Sequence, residues 1–200
     1  IFKAQDVEAL SARARTLRPT WGVAPEKEAP LTPIQKWFFE QVGDKNHFNQ
    51  SMLVQVPSNI DLSRLQQAVL KIIEHHDALH LAFREGKQIL QGLEVFTDRA
   101  LVRHIDCSRL SREEKAKILV DEGNRTQQSL NIENGDLFRC VWFDYGHEPG
   151  RLLLVTHHLA VDGVSWRVLI PDLQAAYEGR PLPEKTTAWT TWAAGQKDFA

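Results

Sequence analysis

The segment Thr156-His157-His158-Leu159-Ala160-Val161-Asp162-Gly163-Val164-Ser165-Trp166 places two adjacent histidines just ahead of an aspartate, a glycine and a serine. Histidine, with an ordinary pKa of about 6.5, takes or gives a proton at neutral pH. At a strand end, followed by a short polar loop, it suits general acid–base work on a bound substrate. The preceding residues 151–155 are short, rich in Leu and Val, and follow the turn signal Glu148-Pro149-Gly150, so they read as a strand. Side chains alternate between the faces of a strand. Leu153, Val155 and His157 therefore share one face, and Leu152, Leu154, Thr156 and His158 share the other. His158 falls on the cleft side as the candidate acid–base group, while His157 faces the apolar side as a supporting core histidine.

The elements around this segment explain how it is positioned. Trp166, Leu169, Ile170, Leu173 and Tyr177 repeat at helical spacing, which puts Asp162 and Gly163 in the connection between a strand and a helix. Such connections are where α/β folds usually carry chemistry. Asp162 suits a helix cap, Ser165 a cap or a cleft lining, and Trp166 a core position. Pro171 falls inside the helix and is expected to kink or restart it. The plainer alternative is that both histidines are ordinary hydrogen-bonded residues at a strand end.

Upstream, strands are expected at 51–56, 79–83, 88–90, 101–105 and 138–143, and helices from Asp61 or Ser63 and over 111–130, the latter capped by Ser111 and Glu114. Strand and helix alternate, which gives an α/β fold. His75, His76, Asp77 and His80 invite a zinc reading, since His76 and His80 are one helical turn apart. No cysteine or further His-Glu signature completes the usual ligand set, so no metal is assigned. Cys107 and Cys140 stand alone and are read as reduced thiols. With 42% hydrophobic residues, 25% charged residues and a net charge of −2, the chain can build a core and has no bias toward nucleic acid. No run approaches the roughly 20 apolar residues of a membrane span, and no signal peptide is evident. A cytoplasmic location is expected.

His157-His158-x-x-x-Asp162-Gly163 followed by Val164-Ser165-Trp166 resembles the active-site motif of the condensation-domain superfamily of nonribosomal peptide synthetases, in particular its epimerization branch. Two further blocks match in order. Leu31-Thr32-Pro33-Ile34-Gln35-Lys36-Trp37-Phe38-Phe39-Glu40, with His47-Phe48-Asn49-Gln50-Ser51 behind it, is similar to the opening of epimerization domains, and His75-His76-Asp77-Ala78-Leu79 with Phe83 is similar to the family's next block. The resemblance covers most of residues 31–200 and implies one chloramphenicol-acetyltransferase-like lobe, a mixed sheet with flanking helices. In that family two such lobes meet at a cleft, so residues 31–200 would be the N-terminal lobe and the C-terminal lobe is missing from this chain. Ile1-Phe2 and Asp6-Val7-Glu8-Ala9-Leu10 are similar to the end of a peptidyl carrier domain. Residues 1–17 are thus read as that domain's last helix, or as a plain amphipathic leader, and 18–30 as a linker.

The resemblance implies epimerization of a carrier-bound L-aminoacyl or peptidyl thioester at its α carbon to the D form. His158 would act from this lobe and a glutamate from the missing lobe on the opposite face. This chain alone is then expected to be inactive. No cofactor of its own is implied, because the 4'-phosphopantetheine arm of the carrier domain brings the substrate, and a downstream condensation domain would receive the product. Gly163 permits a tight turn or a close approach of that arm. In the family the aspartate matching Asp162 forms a structural salt bridge to an arginine, for which Arg103, Arg139 and Arg167 are candidates because His80 stands where the family often has Arg. Two other functions remain open: a condensation domain, in which the same histidine assists amine attack on a thioester, and a non-enzymatic interaction domain of the same fold. Trp37-Phe38-Phe39 and Val164-Ser165-Trp166 favour epimerization.

Overall fold

The computed structural model describes residues 26–97 and 99–196. The expected carrier-type helix at 1–17 and linker residues 18–25 lie outside the described residues. The remainder of the expected linker is partly ordered into strand β1 (Glu28–Pro30). Helix α1 (Pro33–Glu40) follows at once, opened by a capping box in which Thr32 accepts from Gln35 N and Gln35 Oε1 accepts from Thr32 N. Strand β2 (Asn49–Val56) leads to α2 (Leu62–His75), whose first turn is capped by Asp61 accepting from Arg64 N at 2.8 Å.

A short 3₁₀ turn at Asp77–His80 then feeds β3 (Leu81–Arg84) and β4 (Lys87–Leu90). Residues 79 and 80, expected as strand, are taken by that turn. The remaining elements are α3 (Glu94–Thr97), β5 (Val102–Asp106), α4 (Arg112–Gln127), β6 (Phe138–Asp144), β7 (Gly150–His157), α5 (Trp166–Glu178) and α6 (Trp189–Gly195). Ser111 and Glu114 form the expected capping box on α4.

Two sheets result, a three-stranded one in the order β1-β4-β3 and a four-stranded one in the order β2-β7-β6-β5. The larger sheet is mixed, since β5 runs parallel to β6 while β6–β7 and β2–β7 are antiparallel. Gly150 starts β7 where a Cβ would lie 2.7 Å from the Phe143 carbonyl oxygen, so a side chain there would displace backbone.

Alternation along β7 sends its side chains to two different cores. Leu152 and Leu154 pack with Leu65, Val69, Ile72 and Ile73 of α2 and Leu169 and Leu173 of α5. Leu153 and Val155 pack on the other face with Val141, Phe143, Cys107 and Leu130, under α4. Burial of β7 on both sides is what makes it read as an almost unbroken apolar run. Pro171 neither ends nor restarts α5, which is one helix from Trp166 to Glu178. Its missing N–H removes the helical donor to the Arg167 carbonyl, and the packing of Leu169, Leu173 and Ala175 into the core holds the helix across that gap.

Candidate active site

β7 ends at His157, and the chain turns so that the His158 backbone N–H donates to Phe48 O at 2.8 Å, beside the start of β2. His157 is fully buried. Its Nε2 lies 2.7 Å from Lys45 O, and its Nδ1 accepts from Leu159 N at 3.1 Å, so the proton sits on Nε2 and both ring nitrogens are committed to backbone. Burial pushes its pKa below the ordinary histidine value, against the pull of the Lys45 carbonyl. It clamps the Lys45–His47 turn to the strand end.

His158 is half-buried on the wall of an open cavity of about 690 Å³. Its ring stacks on Phe48 with centroids 4.8 Å apart and planes 15° off parallel. Nδ1 lies 2.7 Å from Val161 O, and Nε2 lies 3.1 Å from Nε2 of Gln50. Trp166, whose side chain is mostly core, sends its indole N–H to Gln50 Oε1 at 2.9 Å. Trp37, Phe38, Leu79 and Leu169 supply apolar wall, while Asp162 and Ser165 lie at the polar side of the same cavity.

Asp162 departs from the expectation of a buried salt bridge. It is exposed, and its Oδ1 accepts from Val164 N at 3.0 Å, Ser165 N at 2.8 Å and the Ser165 hydroxyl at 2.7 Å. These donors, the Ser165 hydroxyl first, hold its carboxyl below the usual carboxylate range. No arginine pairs with it among the described residues: Arg103 pairs with Glu122, and Arg139 with Asp136. The aspartate shapes the loop by tying it to the N-cap of α5 rather than by neutralising a buried cation. Ser165 serves that loop through its hydroxyl and makes no side-chain cap bond to the helix. Gly163 adopts no left-handed backbone, and a Cβ on it would meet nothing within 4 Å, so the turn does not require glycine.

The histidines of the earlier block separate. His80 Nδ1 reaches Gln91 O at 2.9 Å, and its Nε2 lies 3.7 Å from Asp77, which also takes Lys185 at 2.7 Å. His76 instead pairs with the buried Asp172 of α5, Nε2 to Oδ2 at 2.9 Å, on the wall of the His158 cavity. His75, His76 and Asp172 offer ligand atoms within 4.8 Å of one another, a grouping that Asp77 and His80 do not join. Burial lowers the pKa of both His75 and His76. Three residues of this neighbourhood have no chemical role assigned from the sequence: Phe48, which lines the cavity, and Gln50 and Asp172, which meet the ring nitrogens of His158 and His76. The first two sit in the block His47-Phe48-Asn49-Gln50-Ser51, so a signal is present there but without an assigned chemistry.

Residues 25–200 match the family model described as the condensation domain. The chain belongs to the condensation-domain family. It is 44% identical over 183 residues to one of the linear gramicidin synthase proteins of Brevibacillus parabrevis, covering 86% of this chain and 4% of that protein. It is 37% identical over 186 residues to surfactin synthase subunit 1 of Bacillus subtilis, covering 88% and 5%.

Among solved structures, the epimerization domain from the third module of tyrocidine synthetase B superposes with a TM-score of 0.76 at 35% identity, over 90% of this chain and 42% of that one. A cyclization-docking bidomain from Sorangium cellulosum shares the fold, with a TM-score of 0.72 at 18% identity over 96% of this chain and 42% of that one. This condensation-family chain therefore spans less than half of those domain structures and a small fraction of its curated relatives. Its architecture is the expected chloramphenicol-acetyltransferase-like lobe, a mixed sheet with flanking helices. Among the described residues, no helix is long and apolar enough to cross a membrane.

Proposed function

We propose that this chain is the N-terminal lobe of an epimerization domain that converts a carrier-bound L-aminoacyl or peptidyl thioester to its D form, with His158 as one of two acid–base groups. The observation that carries the reading is the setting of His158: a half-buried imidazole on an open cavity, its Nδ1 proton taken by a backbone carbonyl and its Nε2 left as an acceptor. Such a nitrogen can accept the α proton, giving an imidazolium and a thioester enolate, and a second group on the opposite face returns a proton to the carbon. That second group is assigned to the other lobe, within the part of the tyrocidine synthetase B epimerization domain that lies beyond the 42% matched by these residues. The 35% identity to that domain supports epimerization over condensation, as do Trp37-Phe38-Phe39 and Val164-Ser165-Trp166.

The partners in this reading are a peptidyl carrier domain with its 4'-phosphopantetheine arm, the second lobe, and a downstream condensation domain, all within a cytoplasmic synthetase. The open loop at Gly163 leaves room for the arm. The test uses the two-lobed domain containing this chain, a loaded carrier, deuterated water and no acceptor amine. Deuterium at the α carbon with D product is expected, and His158→Ala should reduce that exchange by about 10²–10⁴-fold, the usual contribution of a positioned acid–base group. An unexchanged thioester, or full exchange in the His158→Ala variant, overturns the reading.

A further inference from the structure

Which nitrogen of a histidine is basic depends on which carries the neutral ring's single proton, and hydrogen-bond partners decide that. For His158 the partners form a chain whose polarity is set at both ends. At one end, the Val161 carbonyl only accepts, so at 2.7 Å it holds the proton on Nδ1. At the other end the Trp166 indole only donates, and at 2.9 Å it must meet the oxygen of the Gln50 amide. With the oxygen so engaged, the NH₂ group is the part of Gln50 left to face His158, where it lies 3.1 Å from Nε2 and donates. Turning the amide over would set its NH₂ against the indole N–H and its oxygen against Nε2. Both ends of the chain thus agree on one state of the ring.

We propose that Gln50 is a positioning residue for His158: oriented by Trp166, it fixes Nε2 as the unprotonated nitrogen and holds the ring flat on Phe48, its N–H occupying the Nε2 lone pair until the substrate displaces it. This rests on the epimerization reading for its consequence in turnover, but the state of the ring is measurable without turnover. The register places the pair together, since β2 and β7 align Gln50 opposite Thr156 and the chain then bends His158 back over Phe48. The Gln50 side chain meets that of Trp166, which arrives from α5, so β2, α5 and the segment after β7 come together at one imidazole.

The informative change is Gln50→Glu in the two-lobed domain. A carboxylate keeps an acceptor for the Trp166 indole and nearly the same volume, but offers Nε2 only acceptors. Nitrogen-15 spectra of histidine-labelled protein at pH 8, with the His158 signals assigned by their loss in His158→Ala, should show Nδ1 protonated and Nε2 unprotonated in the parent and Nε2 protonated in Gln50→Glu. Trp166→Phe frees the amide to turn, and should give a mixture of ring states in a protein whose Gln50 is intact. In α-deuterium exchange, Gln50→Glu should lower kcat by about a hundredfold with KM for the loaded carrier changed by less than about threefold, as expected when a base is mis-set and substrate binding is not. A Gln50→Glu ring still protonated on Nδ1 alone, or exchange within about threefold of the parent, overturns the assignment. If His158→Ala retains full exchange, the assignment of His158 as the base falls, if the parent shows none the epimerization reading falls, and in either case the nitrogen spectra still decide whether Gln50 sets the ring.

Discussion

Replacing His157 by Phe should unfold the domain more easily while leaving its proton chemistry in place. The phenyl ring fits a fully buried site of similar shape, but it strips the hydrogen bonds from Lys45 O and Leu159 N together. Each buried polar group left without a partner costs about 1–3 kcal/mol, so the expected loss is about 2–6 kcal/mol. The pH dependence follows from the same burial. Because burial holds His157 below the ordinary histidine pKa, the folded state binds fewer protons than the unfolded state as pH falls past about 6.5, so stability is full above that value and declines below it.

His157→Phe removes that residue's share of the acid loss, whereas His76, also pushed down by burial, keeps its own. Urea unfolding of the two-lobed domain at pH 8 and pH 5.5, followed by tryptophan fluorescence, reads both effects. The variant should have a lower midpoint at pH 8 and a smaller drop on acidification. At temperatures where it stays folded, α-deuterium exchange should persist, since Val161, Gln50 and Phe48 still hold His158. An unchanged midpoint together with abolished exchange would refute the assignment of His157 to architecture.

Asp162→Ala should lose about 1 kcal/mol, the usual effect of removing a capping side chain, and far less than the loss of a buried ion pair; calorimetry would distinguish the two. Disorder of the loop should also raise KM for the loaded carrier, because Val164 and Ser165 lose their common acceptor. Cys107 and Cys140 should resist thiol reagents in the native protein and react on unfolding, since both are buried and burial pushes both thiols up; rapid labelling of the folded chain would contradict this.

Much of the site is legible in the sequence because strand alternation is a local rule. Two-residue spacing is enough to separate Leu152 and Leu154 from Leu153 and Val155, and the structure sends those pairs to different cores. Caps of the Ser-x-x-Glu kind are equally local, as at Ser111 and Glu114. The ion pair expected of Asp162 comes from the family resemblance; its own place ahead of a helix suggests a cap, and its carboxylate does accept from Val164 N and Ser165 N at the start of α5, in a loop outside the core. His76 and His80 are a helical pair only as long as the helix continues; α2 stops at His75, and the next turn is 3₁₀. Gln50 sits in a block that matches the family, but its chemistry is not readable there. Its partners are 108 and 116 residues away, and only the β2–β7 register brings them together.

The order β2-β7-β6-β5 also constrains how the chain can assemble as it is made. The sheet's first strand in sequence is hydrogen-bonded to its last, Asn49 to His157 and Val56 to Gly150. At the usual synthesis rates of about 5–20 residues per second, β2 waits roughly 5–20 s for that neighbour. During that interval the apolar stripe of α2, Leu65, Val69, Ile72 and Ile73, has no sheet to cover it, because the strands that carry Cys140, Trp142, Leu152 and Leu154 are still to come. Closure of the loop between β2 and β7 is therefore the late, long-range step of folding. The emerging chain is most exposed to chaperones, and to mispairing with a neighbouring nascent chain, until residue 157 clears the ribosome.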